Sequence, residues 1–452
     1  MAARDAMHMT NSYSRSNGVQ LAAQDAALLD RRERVLGAPY RLFYQRPVHF
    51  VRGEGVFLYD ADGNDYLDAY NNVPVVGHSN PVVRARVSEQ LGILNTHTRY
   101  LTDGVVSYAE RLIDRFGGAV EQAVFVCSGS EAVDLALRMA RHVTRRRGII
   151  ATSHAYHGTT DAAAAISPSL GPNNEVPADI ALVAAPDLGA SDPQTEEREF
   201  AARVDHAIAD LRARGVEPAA LIIDSIMSSD GLHGTVPVLG AAAQVIRRHG
   251  GLYIADEVQP GFGRTGDWWG FERHELAPDL VVIGKPMGNG VPIAAVLGRA
   301  SVFDSFGGDV RYFNTFGGNP VSIAAADAVL DEIDDRGLRD NAATVGADLR
   351  AALSSLAAED DGISSVRGAG LFLALELQDD GVPNASRATA VVNHMRDARV
   401  LISASGPAEN VLKIRPPLVF GSEHLPRLAD ALRAALAASP GGDPVSGSPV
   451  TS

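Results

Sequence analysis

The chain predicts an α/β fold: a mostly parallel sheet covered by helices on both faces, with a smaller α+β unit beside it. Three observations lead there. Strand-like and helical stretches alternate from residue 123 to residue 297, the pattern of βα units. Two apolar runs, Leu252–Ala255 and Leu280–Ile283, read as inner parallel strands with charged residues at their carboxyl ends, Asp256-Glu257 after one and Gly284-Lys285 after the other. Beyond about residue 333 the composition shifts to longer helices around a few strands. Ligands of open α/β sheets bind at the carboxyl ends of strands, so an acid and an amine are expected to face one crevice.

From the amino terminus, residues 1–25 read as a polar, flexible segment and 26–36 as a short helix. The alternation in VHFVRGEGVFLYD, followed by the turn DADGND, predicts a small antiparallel sheet. Asn71-Asn72 and Gly77-His78 follow in a loop, and Pro81–Leu94 has a helical pattern with Val83, Val87, Leu91 and Leu94 on one side. Ala123–Cys127 is a strand, Ser128–Glu131 a tight turn and Ala132–Arg145 a helix with Val133, Leu137 and Ala140 inward. Backbone N–H groups at such a helix start suit a phosphate, although Ser and Gly also serve simply as caps. Gly148–Thr152 is a strand leading into Ser153-His154-Ala155-Tyr156-His157-Gly158, where the tyrosine can stack on a planar ligand or just pack the loop. Residues 168–200 read as surface loops around one strand, Ile180–Ala184. Leu221–Asp224 and Ile293–Leu297 are further strands, and Val236–Arg248 is mostly helix. Asn319-Pro320 starts a helix running to about Ile333. Leu338–Leu356, Ala388–Ala398 and Pro426–Ala437 are helices and Leu371–Leu377 is strand-like, while 439–452 reads as a disordered tail.

Composition narrows the function. A hydrophobic share of 46% and a charged share of 21% are those of a globular protein, and no apolar run reaches membrane-spanning length. The single cysteine, Cys127, excludes an internal disulfide and a Cys-based zinc cage, so the cytoplasm is the expected compartment and no metal is expected. A net charge of −15 argues against nucleic acid as a partner, and against a DNA-bound regulator built on this fold. Lysine is scarce: the chain has only Lys285 and Lys413. Chemistry that needs a primary amine therefore has two candidates, since Arg does not give up its proton.

A phosphate cradle, a strand-end acid and a strand-end lysine are the three groups pyridoxal phosphate needs. The motifs SGSEAVDLALRMAR, AYHG, IADEVQPGFGRTG and NTFGGNP, with the element GK after its strand, are similar to those of the class III, fold-type I aminotransferase family. The likeness spans roughly residues 40 to 437. It implies a mostly parallel seven-stranded sheet in a large domain at 76–325. The small domain is built from 26–75 and 326–438. Lys285 is implied to carry the cofactor aldehyde and to be the catalytic base. Asp256 binds the pyridine nitrogen, Gln259 lies near the ring hydroxyl, and Ser128, Gly129 and Ser130 hold the phosphate. Tyr156 stacks on the ring with His157 beside it, and Val258 backs the other face, two residues after Asp256 on the same side of a strand. Thr315 reaches the phosphate of a neighbouring subunit, which implies a homodimer with shared active sites, possibly paired into a tetramer.

YNNVPVVGHSNP, LNTHTRYL, GKPMGNGVP and LISASGPAENVLKIRPP resemble the phospho-lyase branch of that family, whose enzymes act on O-phosphoethanolamine or phosphohydroxylysine. The ethanolamine ester is the simpler expectation, with a transaminase acting on an amine or omega-amino acid as the alternative. Two departures agree with a lyase. Lys413 stands where many transaminases of the family have a carboxylate-binding arginine, and Asp224 stands where Glu is usual. Arg41, Asn72 and Lys413 are the candidates for holding the substrate, although Lys413 at a strand end is equally read as a solvated lysine.

Overall fold

The computed structural model describes residues 11–187, 192–233 and 236–440. An antiparallel ribbon comes first: β1 (Phe50–Glu54), β2 (Phe57–Asp60) and β3 (Asp65–Asp68). The β2–β3 turn is closed by Asp60, whose carboxylate accepts the backbone N–H groups of Asp62 and Asn64 at 3.1 and 2.9 Å. The large sheet follows, with β4 (Gln122–Val126), β5 (Gly148–Thr152), β6 (Ile180–Val183), β7 (Pro218–Asp224), β8 (Leu252–Asp256), β9 (Leu280–Ile283) and β10 (Ala294–Gly298). Its seven strands lie in the order β4-β10-β9-β8-β7-β5-β6. Only β10 runs against both of its neighbours. The expected mostly parallel, seven-stranded sheet is therefore what forms.

Burial explains the strand sequences. Every residue of β7, β9 and β10 is buried, so these segments are continuous apolar runs without alternation. Helices Gly129–Thr144 and Ala300–Asp309 cover one face, and Pro193–Ala213 and Gly240–Arg248 the other.

The C-terminal elements build the second unit: β11 (Ile363–Ala369), β12 (Phe372–Asp379), β13 (Val382–Pro383), β14 (Val400–Leu401), β15 (Ser403–Ser405) and β16 (Val411–Ile414). Strand β14 pairs in parallel with β3, so the N-terminal ribbon and the C-terminal part share one sheet. The other sheet has the order β11-β12-β16-β15, with β13 against β12.

Several expectations need correction. Residues 193–200 are not surface loop but the start of the helix Pro193–Ala213, capped by Asp192 through Gln194 and Thr195 N–H groups. Its inward residues Phe200, Ala201, Val204, Ala207, Ile208 and Leu211 have helical spacing, a signal masked by the charged run just before them. The helix Pro81–Leu91 ends at Gly92, and Leu91 and Leu94 are exposed instead of inward. The helix Asp103–Asp114 and strand β11 were not anticipated. Residues 1–10 and, of the tail expected at 439–452, residues 441–452 lie outside the described residues; Ser439 is not loose but buried, its carbonyl accepting from Arg387 Nε at 2.7 Å. The described part of the N-terminal segment is tied down: Tyr13 N–H donates to the Leu42 carbonyl at 2.8 Å and Arg15 pairs with Asp30 and Glu33.

Candidate active site

Neighbouring parallel strands bring their carboxyl ends together. Asp224 at the end of β7 lies in register with Asp256 at the end of β8, and Asp256 in register with Val282 of β9. Lys285 comes three positions later, past a glycine whose added methyl would sit 3.3 Å from the Gly129 Cα. The start of the helix Gly129–Thr144 therefore packs directly against the residue before the lysine.

Each acidic side chain at the β8 end has a different task. Asp256 turns to the crevice, where one oxygen lies 2.6 Å from His157 Nδ1 and the other accepts the Val258 N–H at 3.0 Å. Glu257, one residue on, turns away and is wholly buried. It accepts from Ser225 Oγ at 2.5 Å and from the Gly270 and Phe271 N–H groups at 2.7 and 2.8 Å. Desolvation pushes its carboxyl up to about 8, against those hydrogen bonds. Val258 lies beyond the end of β8, so strand alternation does not orient it. The turn closed by Asp256 does, and it sets the Val258 side chain within 3.1 Å of where a methyl on Gly129 would be.

Part of the Lys285 side chain faces the open crevice, yet the surrounding protein desolvates its amine. That burial, helped by the Arg415 charge, pulls it down to about 8, while Asp256 and Asp224 resist. Its Nζ lies 5.7 Å from the centre of the Tyr156 ring. Ser128 is the cap of the neighbouring helix, its Oγ accepting the Glu131 N–H at 3.2 Å, and Glu131 returns a carboxylate to the Cys127 N–H at 2.8 Å. Ser130 Oγ accepts from Thr159 N–H at 3.0 Å, which joins the helix start to the loop carrying Tyr156 and His157.

The second unit closes the crevice with cations. Lys413 lies inside β16, only 7% exposed, so the reading of a solvated strand-end lysine does not hold. Burial first, then Arg415, takes its amine down to about 7. Arg415, just past β16, donates from Nε to the Tyr70 carbonyl at 2.7 Å and from Nη1 to Gln259 Oε1. Gln259 Nε2 donates to Ser228 Oγ, and Ser228 Oγ to Asp224. Wholly buried Arg264 donates to the Leu371 and Pro416 carbonyls, tying the GFGRTG loop to this stretch. Asn72 is buried with no partner for its Nδ2. Thr315 is exposed, next to Asn314, which bonds Glu131 at the helix start. Arg41 is exposed two residues before Phe43, whose ring meets Tyr70 edge-on at 5.4 Å. Among the described residues no three His, Cys, Asp or Glu side chains are grouped to hold a metal.

This donor set fits pyridoxal phosphate. A desolvated amine, a carboxylate oriented by a histidine and a capped helix start with no room for a Cβ at Gly129 converge on one place. Residues 43–436 match the family model for aminotransferase class III. The chain belongs to this family. As a class-III aminotransferase homologue it has the fold type I architecture just described, and pyridoxal phosphate is its cofactor. It is 38% identical to a Drosophila melanogaster protein named alanine–glyoxylate aminotransferase 2-like, covering 91% of this chain and 90% of that protein. It is 34% identical to ethanolamine-phosphate phospho-lyase homolog 1 of Caenorhabditis elegans, covering 90% and 92%. Among solved structures it resembles an Arthrobacter phospholyase in complex with phosphoethanolamine, with 42% identity, a TM-score of 0.89 and coverage of 91% of this chain and all of that one.

The strand-end acid and amine were legible in the sequence because each follows an apolar run. The Arg415–Gln259–Ser228–Asp224 chain was not, since its members come from three segments distant along the sequence. The one hint was Asp224, standing where the family pattern usually has Glu.

Proposed function

We propose that this class-III family member is a lyase that eliminates phosphate from O-phosphoethanolamine, giving acetaldehyde, ammonia and phosphate. The observation that carries the reading is the buried amine of Lys413, set with Arg415 in the same crevice as Lys285. That amine gives the reacting end a positive group suited to a dianionic ester, while Arg415 beside it is held by Tyr70 and Gln259. The phospholyase and the phospho-lyase homologue described above support the same substrate class.

Bound to Lys285, pyridoxal phosphate supplies an aldehyde for the substrate amine and an electron sink for the adjacent carbon. The N–H groups of Gly129 and Ser130 and the positive end of their helix hold the cofactor phosphate. Asp256, fixed by His157, keeps the proton on the pyridine nitrogen. Tyr156 and Val258 would cover the two ring faces, and Gln259 would lie towards the ring hydroxyl. Lys285, with its lowered proton affinity, takes a proton from the carbon bearing nitrogen. The C–O bond of the ester then breaks and its electron pair leaves with phosphate, held by basic groups among which Lys413 and Arg41 are proposed, with Asn72 alongside. Lys285 returns the proton, and one water is consumed as acetaldehyde and ammonia leave.

Incubation of the holoenzyme with O-phosphoethanolamine, without a 2-oxo acid, tests this. Equal release of phosphate and acetaldehyde is the expected result. Release of neither, with amino transfer to pyruvate instead, overturns it in favour of a transaminase, the reading that the name of the Drosophila relative favours.

The proposal extends to assembly as a homodimer. Leu101 is fully exposed and Phe316 is 69% exposed beside Thr315. Ile93, Leu94 and Tyr100 add to this uncovered apolar surface, which is the kind a partner covers. The exposed Thr315 would then serve the phosphate of the second subunit. Among the described residues no helix is long and apolar enough to cross a membrane. The lone Cys127 suits a reducing compartment, so the cytoplasm is the proposed place of action.

A further inference from the structure

Two cations of the second unit, Lys413 and Arg415, sit close together in sequence and in space, and their bonding separates them. Arg415 is committed. Its Nε is taken by the Tyr70 carbonyl and its Nη1 by Gln259, and its guanidinium also lies 4.8 Å from the Tyr70 ring centre. Gln259 is committed in turn, its oxygen to Arg415 and its nitrogen to Ser228, which donates to Asp224. The chain runs from the end of β7 through the loop after β8 to the segment after β3. Asp224, Ser228, Gln259 and Arg415 are all buried.

Lys413 stands outside this chain. Among the described residues no hydrogen bond or ion pair reaches its amine, although the residue is only 7% exposed. Lys285 adds its charge to that of Arg415 at Lys413, and the ring of His154, on the loop after β5, lies close enough to feel the Lys413 charge. The ring of His154 is likewise without a hydrogen bond among the described residues, while its backbone is anchored: Asp230 accepts the His154 N–H at 3.0 Å and the Thr152 hydroxyl at 2.7 Å. Asp224 and Asp230 also act on the Lys413 charge at longer range, and both carboxylates are already occupied by hydroxyl and backbone donors. Lys413 and the ring of His154 are thus two basic side chains, one from each unit, within reach of one another's charge and without a hydrogen-bond partner among the described residues. A buried ammonium without an acceptor is costly, and an anion between the two groups removes that cost.

Resting on the lyase reading, we propose that the departing phosphate of the substrate is held between Lys413 and His154, and that Arg415 is a positioning residue for Gln259 and the Tyr70 segment. Desolvation lowers the proton affinity of both groups, joined by the charges of Arg415 and Lys285 at Lys413 and by that of Lys413 at His154, and an entering anion acts in the opposite direction.

The test uses the holoenzyme and inorganic phosphate as the probe, followed by calorimetry and by competition with O-phosphoethanolamine. K413M is expected to weaken phosphate binding roughly tenfold to a hundredfold, the effect of losing a charged hydrogen bond in a buried site. K413R should recover most of it. H154Q should weaken binding about tenfold; its half-exposed position keeps the test alive if K413M does not fold. R415Q should lower kcat while leaving phosphate affinity within about threefold, and the double variant R415Q/Q259L should cost no more in kcat than the worse single change. Parent-like phosphate binding by K413M and H154Q overturns the subsite, and loss of affinity in R415Q equal to that in K413M overturns the division of roles. Should the parent enzyme release no phosphate from O-phosphoethanolamine, the lyase reading falls by itself, and the phosphate titration still decides whether the subsite exists.

Discussion

At the scale of single residues, the chemistry depends on removing water from an amine. Lys285 titrates near 8 because protein atoms surround it and Arg415 adds a like charge. The lowered value makes the free base available at neutral pH. An ordinary lysine is free base only about once in a thousand at pH 7.5, and the lowered value raises that share many-fold. The rate at which the apoenzyme takes up pyridoxal phosphate should therefore rise with pH and level off above about 8, not above 10. Stopped-flow absorbance across pH 6 to 10 reads this, and a midpoint near 10 would contradict it. Lys285→Ala removes both the attachment point and the base. Its phosphate release should fall on the order of a thousandfold, and borohydride should no longer fix the cofactor to the peptide containing residue 285. Asp256 shows how a neighbour matters: the carboxylate is held from both sides, by His157 and by the Val258 N–H, so its direction is set before any ligand arrives.

Between the residue and the fold lie the segments that carry these groups. The loop with Tyr156 and His157 is joined to the helix starting at Gly129 through Ser130 and Thr159. Gly158 closes this joint, with φ at +142° and no room for a Cβ, which would come within 2.5 Å of Ser130 Oγ. Gly158→Ala should move Ser130 or the loop. A cost of about 1–3 kcal/mol follows from the strain, and with it a drop of about fivefold or more in pyridoxal phosphate affinity, measured by titrating the apoenzyme. The same scale shows where the sequence was readable. Strands β5 and β9 were placed residue for residue, because inner parallel strands are unbroken apolar runs bounded by polar turns. The helix Pro193–Ala213 escaped because Glu196, Glu197, Arg198 and Glu199 dilute its apolar face at the start. One of those charges, Glu196, is itself buried against Arg203, an arrangement that periodicity does not announce. In the active site, the groups at strand ends followed from local pattern, while Arg415 and Ser228 owe their roles to contacts between segments distant along the chain.

The whole molecule brings its two units together around the crevice. Strand β14 lies beside β3, Arg264 grips the Pro416 carbonyl, and Arg415 joins Tyr70 to Gln259. Its outer face, where Leu101 and Phe316 project, is the surface proposed to meet a second copy. Leu101→Asp should therefore shift the protein from dimer to monomer in light scattering after size exclusion, and weaken cofactor retention with it; a dimer unaffected by the change would point to another face. One more property belongs to the molecule as a whole. Both lysines of this chain lie in the crevice, and the remaining basic side chains are Arg and His. Apart from its own amino terminus, the exterior offers no primary amine. Succinimidyl dyes and amine-coupling resins, which ordinarily decorate a protein at random, would find here one exterior target, the amino terminus, so a single fluorophore or a single point of attachment follows without any mutation.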